Sequence, residues 1–94
     1  RDEIPSELTN DPIYQEFKYL HRIFISGYLS INHPYKPEIT ERRRKIFLLR
    51  YLYGLSISDV SERIHYQKNI ILTDSKKALV QFTHALQLLE EREN

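Results

Sequence analysis

Four consecutive cations, Arg42-Arg43-Arg44-Lys45, follow Thr40 at what reads as a helix start. Five polar or cationic residues, Lys68, Asn69, Thr73, Lys76 and Lys77, recur later on a second helical stretch. Cations at a helix start oppose the helix dipole unless an anion offsets them, and a phosphate backbone is such an anion. The alternative is that Glu38 and Glu41 partly neutralise the cluster and water does the rest. Charge is also unevenly divided. Residues 1–40 carry four Lys or Arg against six Asp or Glu, and residues 41–94 carry ten against seven, a change from −2 to +3. The second half therefore points to an anionic partner.

Reaction chemistry finds little footing. The chain has no cysteine, its four histidines (His21, His33, His65, His84) lack metal-ligand spacing, and no glycine-rich loop or nucleophile elbow occurs. The expectation is a protein that is not an enzyme and has no cofactor or metal. Seven tyrosines raise base stacking on single strands as an alternative. Five of them, Tyr14, Tyr19, Tyr28, Tyr51 and Tyr53, fall within the two leading helices, where packing is their ordinary role.

The elements that would position these residues are all helical. Two glycines in 94 residues argue against a turn-rich β fold, and the length suits one core. No apolar run is long enough to span a membrane, and the absence of cysteine fits a cytoplasmic setting. A chain that starts at Arg1 and has no methionine reads as a piece of a longer product. Residues 1–10 read as a flexible tail and 11–31 as an amphipathic helix, started by Asp11-Pro12 and buried through Ile13, Phe17, Leu20, Phe24 and Tyr28. Residues 32–39, with two prolines, form a connector. Residues 40–92 form the rest of the domain. Thr40 caps a helix with Ile46, Leu49 and Tyr53 inward, which Gly54 stops in a left-handed conformation. Ser56 and Asp59 have capping-box spacing and start a short helix with Ile57, Val60 and Ile64 inward. Beyond His65-Tyr66-Gln67, a last helix of more than twenty residues carries Ile71, Ala78, Leu79, Phe82, Ala85, Leu86 and Leu89.

Helix, glycine turn, short helix, three-residue turn, helix is the layout of a helix-turn-helix, with Ser61 small enough for the helices to cross closely. A small bundle with a wet lysine face has the same layout. The residues also carry a resemblance. Ile46-Phe47-Leu48-Leu49-Arg50-Tyr51-Leu52-Tyr53-Gly54-Leu55-Ser56, followed by Asp59-Val60-Ser61-Glu62-Arg63-Ile64, resembles region 4 of the bacterial sigma factors. Phe82-Thr83-His84-Ala85-Leu86 is more similar to ArpU-type phage regulators, a sigma-region-4-like family. The resemblance spans residues 42–89 and implies an all-α helix-turn-helix domain of about four helices with a long C-terminal recognition helix.

It further implies a sequence-specific regulator of transcription, of phage genes, that binds double-stranded DNA. Lys68, Asn69, Leu72, Thr73 and Lys76 would then face the bases. Asn suits adenine, Lys suits guanine or phosphate, and Leu72 suits a thymine methyl. Arg42, Arg43, Arg44, Lys45 and Lys77 would hold phosphates. His65 stands where the family has glycine, while Asp74 and the apolar Ile70-Ile71-Leu72 depart from the usual polar helix start. Those departures favour an alternative, a module that docks on RNA polymerase, a sigma factor or another regulator. Recognition of DNA ends in phage packaging is a third reading. Ile23, Ile25, Leu29, Val80 and Leu88 lie off the inward stripes, so a homodimer through the first helix is expected.

Overall fold

The computed structural model describes residues 6–93, without the side chains of Leu8 and Glu93. The described residues are helical and contain no strand: α1 (Ser6–Thr9), α2 (Pro12–Leu29), α3 (Pro37–Phe47) continuing into a π-helical turn (Leu48–Leu52), α4 (Ile57–Ile64) and α5 (Lys68–Glu93). The expected tail is thus helical over Ser6–Thr9, while residues 1–5 lie outside the described residues.

Local chemistry accounts for most of the boundaries. Asp11 caps α2, its carboxylate accepting from the Ile13 amide at 2.8 Å, and Pro12 takes the first helical position. Ser56 caps α4, with Oγ accepting from the Asp59 amide at 3.0 Å. Gly54 has φ +72°, the left-handed exit expected of it. The start of α3 is different. Pro37 opens the helix behind Lys36, so Thr40 lies one turn inside, and its hydroxyl accepts from the His33 amide at 2.7 Å. Thr40 pins the connector instead of capping a helix.

Two apolar clusters share α3 and α5. Ile46, Leu49, Val60 and Ile71 join α3, the π turn, α4 and α5, flanked by Leu55, Ile57 and Ile64. Ile31, Phe47 and Ala78 join the end of α2 to α3 and α5, flanked by Phe24, Tyr28, Leu48 and Phe82. The Phe82 ring stacks on Phe47 at 4.7 Å and tilts against Phe24 at 5.7 Å. Gly27 is buried beside that ring, so close that a Cβ there would meet ring carbons at 2.5 and 2.6 Å.

Five expected core positions lie outside. Tyr53 is exposed because the π turn, closed by Tyr53 N–H to Leu48 O at 3.0 Å, adds a residue to the turn and rotates Tyr53 off the face of Ile46 and Leu49. Leu79 is exposed at the edge of α5. The stripe of α2 divides into halves: Phe24 and Tyr28 pack against the core, but Ile13, Phe17 and Leu20 are 79%, 63% and 54% exposed. The far end of α5 lies beside Ile23 through Leu86 and Leu89, leaving the front of α2 uncovered. Among the described residues no helix is long and apolar enough to cross a membrane.

Candidate nucleic-acid interface

The first three turns of α5 have two unlike sides. Ile71, Asp74, Ser75 and Ala78 are buried, while Lys68, Asn69, Leu72, Thr73, Lys76 and Lys77 are exposed. At 100° per residue, Asn69, Leu72, Thr73 and Lys76 fall within about one third of the circumference. All five residues expected to face bases are thus exposed, four of them within that arc and Lys68 about 40° beyond Leu72. Lys77 stands at the edge of this strip, lining a shallow depression with Arg43, Lys76, Val80 and Gln81.

α4 and its turn help α3 to hold the strip in place. Val60 of α4 and Ile71 of α5 share a core cluster. His65 takes φ 64° and ψ 40°, the left-handed corner that a glycine adopts more readily. The Ser61 hydroxyl donates to the Tyr66 carbonyl at 2.6 Å, so Ser61 ties the turn down and is more than a small residue at a crossing. The Gln67 carbonyl then accepts from the Ile70 and Ile71 amides and opens α5.

The arginine cluster is placed otherwise than expected. Because α3 begins at Pro37, Arg44 and Lys45 lie in its last turn, where cations match the helix dipole. Arg43 is 8% exposed. Its Nε donates to Asp74 Oδ1 at 2.9 Å and its Nη1 to the Asn32 carbonyl at 3.1 Å. Arg44 donates through Nε to the Ile31 carbonyl and through Nη2 to the Leu29 carbonyl, both at 2.9 Å, closing the end of α2, and it lies over the Tyr28 ring. Arg43 is thus committed inside the domain and is not free to hold a phosphate as expected, whereas Arg44 stays partly exposed with its Nε and Nη2 engaged at the end of α2. Arg42 is intermediate: its Nε donates to Asp74 Oδ2 at 2.5 Å and its guanidinium lies over the Tyr66 ring at 5.0 Å. The hydrogen bond to the Asp74 carboxylate raises the Arg42 pKa above its ordinary value, against the opposing effect of burial. Of the four cations only Lys45 is exposed.

Asp74 needs a matching correction. At 2% exposed and with each carboxylate oxygen bound to an arginine, it is not a charge on the displayed strip. Arg63, which was not among the expected contacts, is an exposed cation in the last turn of α4 that lines a cleft together with Lys45, His65, Tyr66, Glu38 and Glu41. Its signal was its place at a helix end beside the turn. Of the histidines, His21 stacks on Phe17 and His33 Nδ1 accepts from the Tyr35 amide at 3.2 Å. Among the described residues no three potential metal ligands come together.

No protein-family model matches this chain, and no curated protein or solved structure is significantly similar to it.

Proposed function

We propose that the chain binds double-stranded DNA sequence-specifically through α4, its turn and α5, and regulates transcription, with phage genes as the setting that the likeness to ArpU-type phage regulators suggests. The observation that carries the reading is the strip of Asn69, Leu72, Thr73 and Lys76, exposed together on a helix whose opposite side is buried by α3 and α4. A helix about 10–12 Å across suits the major groove, and amide, hydroxyl, ammonium and methyl groups at this spacing can address base edges. Lys45, Arg63 and Lys77 supply phosphate contacts from both sides of the strip, in place of Arg43. The exposed run Ile13, Phe17 and Leu20 supports pairing of two copies through α2, which would give two recognition helices for one site.

Fluorescence anisotropy with duplexes selected from a random pool tests the reading. With about three phosphate contacts, log affinity should fall against log salt with a slope of roughly −3. Asn69→Ala or Thr73→Ala should weaken the selected site by about 1–3 kcal/mol, whereas Lys45→Ala should weaken selected and random duplexes alike. No duplex binding at low salt would refute the proposal and favour the protein-docking module, for which exposed Leu72 and Leu79 would be the contact.

A further inference from the structure

We infer that Asp74, gripped by Arg42 and Arg43, sets the rotation of α5 and so acts as a positioning residue for base recognition; this rests on the duplex-binding reading above. Apolar packing through Ile71 and Ala78 fixes how near α5 lies to α3, but it is non-directional and tolerates a helix turning about its own axis. Charge-assisted hydrogen bonds are directional. Asp74 receives one on each oxygen, from two adjacent side chains of α3. Both arginines are themselves anchored: Arg42 lies against Tyr66 in the turn before α5, and Arg43 donates to the Asn32 carbonyl. Seven residues after Asp74, Gln81 holds the same Asn32, accepting from its amide at 3.0 Å and donating to its side-chain oxygen at 3.1 Å. α5 is thus held at two points two turns apart, on one side, by directional bonds. With side-chain tips about 6 Å from the axis, a 20° rotation would move them by about 2 Å, enough to break a base-edge hydrogen bond. Flexible lysines on phosphates would follow such a movement with little loss.

The test compares affinities for the selected duplex and for a random duplex of the same length, measured below the melting temperature of each variant, for the wild type, Asp74→Asn and Arg42→Lys. The second variant keeps the surface charge and guards against failure of the first to fold. The expected result is at least a tenfold fall on the selected duplex with less than a threefold change on the random one, in each folded variant. Were Asp74 a repelling charge instead, Asp74→Asn would tighten both duplexes, and that result overturns the inference. An unchanged ratio in Arg42→Lys overturns it as well. A wild type that binds no duplex refutes the duplex reading and this inference with it, whereas a binding wild type with unchanged ratios in the variants refutes the inference alone.

Discussion

Gly27→Ala sets helix propensity against packing, and the two have opposite signs. In the interior of α2, alanine would by itself stabilise the helix by about 1 kcal/mol over glycine. The structure opposes this. The added Cβ would stand 2.5 Å from Phe82 Cε2, 2.6 Å from Cδ2 and 3.0 Å from Cζ, where carbon atoms settle at about 3.5–4.0 Å. One of the partners must move by about 1 Å. The ring cannot retreat freely, since Phe47 stacks on it at 4.7 Å and Phe24 lies at 5.7 Å, so the strain passes to the spacing of α2 and α5. Overpacking of this kind costs about 1–3 kcal/mol. Propensity offsets up to 1 of that, leaving a net loss of up to about 2 kcal/mol, which for a domain of this size lowers the melting temperature by up to roughly 15 °C. Thermal unfolding followed by circular dichroism measures it, with urea unfolding as the check on ΔG. Phe82→Leu in the same chain should relieve part of the clash, making the double variant less destabilised than the sum of the singles. A Gly27→Ala variant that melts higher than the wild type would refute the packing argument.

His65→Gly should raise the melting temperature by a few degrees, because a left-handed conformation at φ 64° costs an L-residue roughly 1–2 kcal/mol, only partly offset by the greater chain entropy of glycine; His65→Val should lower it. Phe17→Asp should convert a dimer to a monomer in sedimentation equilibrium at micromolar concentration without changing the circular dichroism spectrum, since Phe17 is 63% exposed; a wild type that is monomeric both alone and with a selected palindromic duplex would rule out pairing through α2.

Features decided within a few residues were legible in the sequence. Asp11, Pro12, Gly54, Ser56 and His65 each stop or start a helix through groups one to four positions away, and the expected boundaries fall on them. The displayed strip of α5 was legible for the same reason, its period being a property of one helix. The arginine cluster was not, because its partners stand far off in the chain: Asp74 lies 31 residues after Arg43, and the carbonyls that hold Arg44 lie 13 and 15 residues before it. Asp74 and the cluster each looked anomalous alone, and together they neutralise one another. For α2, periodicity identified the apolar side of the helix, but covering it depends on how far other helices extend, which no local pattern encodes. The π turn was hidden likewise, since Leu48-Leu49-Arg50-Tyr51-Leu52 suits either helix and only the displacement of Tyr53 reveals it.

The last helix runs unbroken for 26 residues, about 39 Å, with its start against α3 and α4 and its far end alongside α2. Mechanically it is a beam supported at both ends. A tilt of 3° about its midpoint displaces either end by about 1 Å, so a load on the far end, or a shift of α2, would move Asn69, Leu72 and Thr73 without touching them. If two copies pair through α2 and α5 reads bases, as proposed, assembly at one end of the molecule and aim at the other would be a single degree of freedom, carried by one uninterrupted rod.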